Sequence, residues 1–204
     1  MNKAPREWHG LKYYRPRPIL DGLRKIERSG ALKGLPYKVA SLRTHKLKIY
    51  LEGRQAALFC HGVSERIGSE VTFALFEAAD FDIVARFDAG GVTHLVPVQL
   101  KELPPSHLNP LEQVQRILDK LATKLTDSSD LVVAIHINRD INDLRPAELR
   151  IPQNVGQIWL YGAKDRTQES WFLIGDLMTD PNLVTDFSYP SSVIYSAGWK
   201  QDGG

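Results

Sequence analysis

The chain has 204 residues, 43% of them hydrophobic and 25% charged, a composition that fits one globular domain with a sizeable core and excludes a disordered polyelectrolyte. No run approaches the ~18 apolar residues of a transmembrane helix, and the basic first residues lead into no apolar core of a secretory leader. The formal charge of +2 hides an asymmetry: residues 1–48 carry 13 Lys/Arg against 3 Asp/Glu, whereas the remaining residues carry 13 against 21.

A basic arm joined to a mildly acidic body points to contact with a polyanion. Trp8, Tyr13, Tyr14 and Tyr37 lie among the cations of that arm, where they suit stacking on bases or anchoring the arm to the body. The single cysteine, Cys60, can form no internal disulfide, which fits a reducing cytoplasm; its place beside Phe59 on an apolar helix reads as a small buried hydrophobe.

Taken in chain order, residues 1–18 hold Pro5, Pro16 and Pro18 without an apolar period and read as an extended lead. Ile19, Leu20, Leu23 and Ile26 then recur at helical spacing up to Gly30. Thr44 is placed to cap a helix running to about Cys60, with Leu47, Leu51 and Leu58 on its buried stripe and Glu52 midway. Val71 to Phe76 reads as a first strand, Phe81 to Phe87 as a second, and Thr93 to Lys101 as a third, joined to the second by Gly90-Gly91. Pro97 predicts a distortion of that third strand. Asn109-Pro110 reads as a cap and first turn of a helix reaching Leu125. Asp130 to Asn138 is almost wholly apolar, as in a strand covered on both faces. Gln157 to Tyr161 and Ser170 to Ile174 read as two further strands. The resulting division is a basic N-terminal arm with a short helix (1–43), an α/β domain with a mixed sheet flanked by helices (44–180), and an irregular C-terminal tail (181–204).

The residues that carry chemistry lie on the hairpin. Asp82 opens the second strand, and Gln99-Leu100-Lys101 close the third. Side chains alternate along a strand, so Gln99 and Lys101 share one side and Leu100 takes the other. A carboxylate on one strand, with an amide and an ammonium on its neighbour, are parts suited to holding a divalent cation beside a phosphodiester. Mg²⁺ or Mn²⁺ takes oxygen ligands and keeps several waters, so Asp82, the Gln99 amide oxygen and the Leu100 carbonyl suffice when Glu52 and a substrate phosphate complete the set. Lys101 then orients the attacking water or offsets charge on the phosphoryl oxygens.

The order α-β-β-β-α-β, with Glu52, Asp82 and Gln99-Leu100-Lys101 on its first helix and on its second and third strands, resembles the PD-(D/E)xK superfamily of restriction-endonuclease-like nucleases. The Gln-x-Lys form is most similar to the Mrr-type branch. The likeness spans roughly residues 44–138, with Phe81 where the family often has proline. It implies a restriction-endonuclease-like core and metal-dependent endonucleolytic hydrolysis of DNA, with Asp82, Gln99, Lys101 and Glu52 as catalytic residues. Asp82, Gln99, Leu100 and Glu52 would hold the metal, and two-stranded cleavage would favour a homodimer. The competing reading is a catalytically inactive nuclease-fold protein that binds nucleic acid or another protein, in which Asp82 simply starts a strand and Gln99 and Lys101 line a solvated face. The histidines show no paired metal-ligand spacing, and His136, inside the apolar strand, reads as a core residue. No phosphate-binding glycine motif occurs.

Overall fold

A computed structural model describes residues 4–125, 128–140 and 144–190. Its centre is one seven-stranded sheet in sequence order: β1 (Thr72–Leu75), β2 (Ile83–Ala89), β3 (Val92–Leu103), β4 (Ser128–Ile137), β5 (Val155–Ala163), β6 (Ser170–Ile174) and β7 (Val184–Ser188). β1, β2 and β3 run antiparallel, β4 and β5 lie parallel to β3, and β6 and β7 return antiparallel. Among the described residues four α-helices accompany it: α1 (Pro16–Arg28), α2 (Tyr37–Ala40), α3 (Lys48–Ile67) and α4 (Val114–Lys124).

Strand alternation divides the core in two. Val98, Leu100, Val132, Ala134, Tyr161 and Trp171 face one way and pack with Leu20 of α1 and Ala56, Phe59 and Cys60 of α3. Val133, Ile135, Ile137, Ile158 and Leu160 face the other way and pack with Val114, Ile117, Leu118 and Leu121 of α4. β4 is buried on both faces from Leu131 onward, which explains its unbroken apolar run.

The N-terminal segment packs onto this body. Trp8 and Leu20 are buried, Tyr14 pairs with Phe73 through two backbone hydrogen bonds, and Arg15 and Arg17 meet Glu70 and Glu65 at 2.7 and 2.8 Å. Among the described residues no helix is long and apolar enough to cross a membrane.

Several expected elements shift. Thr44 makes no side-chain cap; a 3-10 turn over His45–Leu47 precedes α3, which continues past Cys60 to Ile67 and stops at Gly68 in the left-handed conformation. Asn109-Pro110 forms turns rather than a first helical turn, with Glu112 N–H reaching Asn109 O, and α4 starts only at Val114. Pro97 sits opposite Val84 in an intact β2–β3 ladder. Its missing N–H points away from β2, and pairing with β4 begins only at Val98, so no ladder bond is lost. Residues 184–188, within the stretch read as irregular, form β7; Phe187 is buried there against His61 and Trp171.

Candidate active site at the edge of β3

β2 and β3 separate where the candidate residues lie. Their ladder ends at Ile83–Val98, while β3 continues to Leu103 with only β4 beside it. From Gln99 onward, the backbone groups of β3 on the vacated edge have lost their strand partner. Asp82 fills the first vacancy. Its own N–H donates to Val98 O at 3.0 Å, and its Oδ2 accepts the Leu100 N–H at 2.7 Å. The loop before it is fixed by Phe76 N–H to Asp82 O at 3.1 Å and by Phe81, which stacks on Phe76 and meets Trp8 edge-on. The Asp82 carboxylate therefore lies at the sheet edge, doing for β3 what a backbone carbonyl of β2 would otherwise do. The N–H and C=O of one strand residue point to the same neighbour, so the Leu100 carbonyl lies on this edge as well.

Gln99 and Lys101 project to the α4 face, in register with Val133 and Ile135. Gln99 is 4% exposed, and its Oε1 has no hydrogen-bond partner, a costly condition for a buried amide. Lys101 is half-buried and makes no hydrogen bond or ion pair among the described residues. Burial pushes its pKa down, the Asp82 charge opposes this, and Lys124 at the end of α4 adds to the lowering; the net is below the ordinary lysine value.

Glu52 approaches from the α3 side and is occupied. It accepts from Lys48 Nζ, one helical turn earlier, at 3.1 Å, and the same ammonium lies 3.8 Å from Glu77. The hydrogen bond and charge of Glu52, then the charges of Glu77 and Asp82, hold the Lys48 pKa above its usual value. The structure thus joins Asp82 to Leu100 directly, places Gln99 and Lys101 on the adjoining face, and leaves Glu52 in an ion pair. Among the described residues no group of three or more His, Cys, Asp and Glu is placed to hold a metal ion. Sequence reasoning overlooked Lys48 and Lys124. The Lys48–Glu52 spacing of one helical turn was the available signal for the first; nothing local reveals the second.

The next residue along β3 turns to the opposite face. Glu102 accepts from both terminal nitrogens of Arg43, at 3.0 and 2.5 Å, and from Asn138 Nδ2 at 2.8 Å. Burial works against its charge, but the Arg43 and Asn138 hydrogen bonds outweigh it and hold the carboxyl below the ordinary value. Its register neighbour His136 is stacked on Tyr161 and Trp171, and burial, with Arg54 nearby, pushes its pKa down to about 3. His136 is buried and neutral, as expected of a core residue, although its Nδ1 has no hydrogen-bond partner. A cavity of about 510 Å³ on the α1/α3 side is lined by Trp8, Phe59, Phe87 and Trp159 and holds none of the candidate residues.

No protein-family model matches the chain, and neither a curated protein nor a solved structure matches it.

Proposed function

We propose that the chain hydrolyses DNA phosphodiester bonds with the help of a divalent cation, on a core of the PD-(D/E)xK type. The succession α3-β1-β2-β3-α4-β4, with β1 to β3 antiparallel and β4 parallel to β3, supports that core. The observation that carries the chemical reading is the hydrogen bond from the Leu100 amide to Asp82 Oδ2, because it aims a carboxylate at the Gln-x-Lys tripeptide where two strands diverge.

The available donors fit a hard cation: the Asp82 carboxylate, the unpartnered Gln99 Oε1 and the Leu100 carbonyl are all oxygens. So short a set suits Mg²⁺ or Mn²⁺, which retain waters and take further oxygens from a substrate phosphate. Bound there, such an ion would supply an acidified water and charge stabilisation at the phosphoryl group. The protein's own contribution is positional and electrostatic. Asp82 is held in place by the Leu100 amide. Lys101 carries an ammonium in a half-buried setting, with no hydrogen bond or ion pair among the described residues, where it would act strongly on negative charge developing on the phosphoryl oxygens. Glu52 would contribute through its second oxygen, or through both once its exposed pair with Lys48 opens.

That pair, with the absence of a three-carboxylate group among the described residues, favours a second reading: a nuclease-fold protein that binds nucleic acid or protein without cleaving. Calorimetric titration with Mg²⁺ and Mn²⁺, with and without an unmodified DNA oligonucleotide whose cleavage is followed in parallel, separates the two. Wild type should bind the cation weakly alone and more tightly with DNA, Lys101→Ala should retain this, and Asp82→Ala should lose it. Wild type that takes up no cation under either condition establishes the binding module instead.

A further inference from the structure

From Lys25 to Arg54 no residue is buried, although the segment contains the end of α1, all of α2 and the first turns of α3. Ordered backbone without a core of its own is unusual, and the side chains it shows to solvent have a definite chemistry. Leu35, Tyr37, Ile49 and Tyr50 are 43%, 50%, 54% and 59% exposed. Lys33 precedes them and Lys38 and Lys46 lie between them, all three exposed and without an ion pair among the described residues. No Asp or Glu occurs between Glu27 and Glu52.

The segment is attached to the candidate site at both ends of its second half. Arg43 grips Glu102, the residue after Lys101, and Leu42 before it takes a left-handed conformation (φ 60°) that non-glycine residues seldom adopt. Lys48 reaches Glu52 and Glu77 near Asp82, and the Tyr37 ring meets His107 beyond the end of β3. A partner that covers this segment therefore passes close to the β3 edge.

Cations without acids call for a polyanion, and exposed tyrosines among them call for flat apolar faces. A duplex offers phosphates, but its bases are stacked away; a single strand offers both. We propose that residues 33–50 form a docking surface for single-stranded nucleic acid, with Lys33, Lys38 and Lys46 on phosphates and Tyr37 and Tyr50 stacking on unpaired bases. This rests on the nuclease reading for its purpose but not for its test.

The test is binding of a fluorescent oligothymidine, and of a duplex of the same length, to the full chain in EDTA, where cleavage plays no part. Wild type should prefer the single strand. Tyr37→Ala with Tyr50→Ala should weaken single-strand binding by about ten-fold or more and leave duplex binding nearly unchanged, while the Phe versions should restore it. Replacing the three lysines by Gln should flatten the slope of log affinity against log salt by about 2. Equal binding of single strand by the Ala variant and wild type overturns the proposal, as does a preference for duplex. Binding of polyglutamate in place of oligothymidine would overturn it in favour of an acidic protein partner. A chain that cleaves with Mg²⁺ while its tyrosine variants bind normally loses the docking surface and keeps the nuclease reading. One that binds through the tyrosines but never cleaves does the reverse.

Discussion

Lys101 and Glu102 are consecutive residues of one strand, both ionisable and both largely withdrawn from water, yet they differ in every other respect. Glu102 has its oxygens occupied by Arg43 and Asn138. Lys101 has no direct partner among the described residues, and its neighbour on the same face, Gln99, keeps an orphaned buried oxygen. Folding can account for Glu102: a buried charge is tolerated when its hydrogen bonds are made. It accounts less well for Gln99, whose buried oxygen has no hydrogen bond, and for Lys101, whose desolvation the Asp82 charge offsets only in part. The difference sets the α4 face of β3, with Gln99 Oε1 unpartnered and Lys101 without an ion pair among the described residues, against the α3 face, where Glu102 is fully engaged.

The largest expected effect lies on the satisfied face. Glu102→Ala leaves Arg43 half-buried without its acid and should cost about 2–4 kcal/mol in denaturant unfolding. Lys101→Met, one residue away, should change stability by no more than about 1 kcal/mol and in the stabilising direction, because it removes a desolvated charge. Equal losses for the two would erase the distinction.

Acid should act through the same face. The His136 pKa is depressed in the folded state, so its contribution is complete above the unfolded value of about 6.5 and is lost as pH falls toward about 3. The Glu102 pKa is likewise depressed, and its contribution fades as pH drops below the ordinary carboxylate range. Thermal melting across this range should show stability falling steadily, and His136→Phe should flatten the upper part of the fall. A wild-type melting temperature constant from pH 7 to pH 4 would contradict the buried, neutral state of His136.

Gln99 sharpens the comparison further. Gln99→Leu removes the orphaned oxygen and should be neutral or stabilising by up to about 1 kcal/mol. Gln99→Glu should be destabilised in EDTA and regain stability with Mg²⁺, which a plain core position would not do. The smallest expected effect is electrostatic. Lys124 lowers the Lys101 pKa, so Lys124→Met should move the alkaline limb of a cleavage pH profile upward, provided Lys101 acts in its protonated form.

The hairpin was legible because its signals are local: Gly90-Gly91 between two runs with strand character, and an alternation that puts Gln99 and Lys101 on one side. β4 announced itself by an apolar run too uniform for a strand with one wet face. The sequence did not reveal that β2 begins one residue after Asp82, leaving its carboxylate to cap the Leu100 amide, because where two strands part is decided by pairing across 18 residues of chain. Nor did it reveal β7, whose short exposed sequence acquires strand character only beside β6. The start of α4 was misplaced because Asn109-Pro110 is equally at home in a turn, and only the packing of Val114 to Leu121 under the sheet selects the true beginning. Glu52 and Lys48 illustrate the same limit: their spacing was visible, but which acid the ammonium would occupy depended on where α3 met the Glu77 loop.

The central proposal is that Lys101, which has no hydrogen bond or ion pair among the described residues, acts on a phosphodiester. The most direct test is cleavage of plasmid and single-stranded DNA by wild type, Lys101→Ala and Asp82→Ala in Mg²⁺, Mn²⁺ and EDTA, with folding verified by melting. The account predicts cation-dependent cleavage by wild type, none in EDTA, and none by either variant although both remain folded. Cleavage by Lys101→Ala at the wild-type rate, or no cleavage by wild type with any cation and substrate, would contradict it.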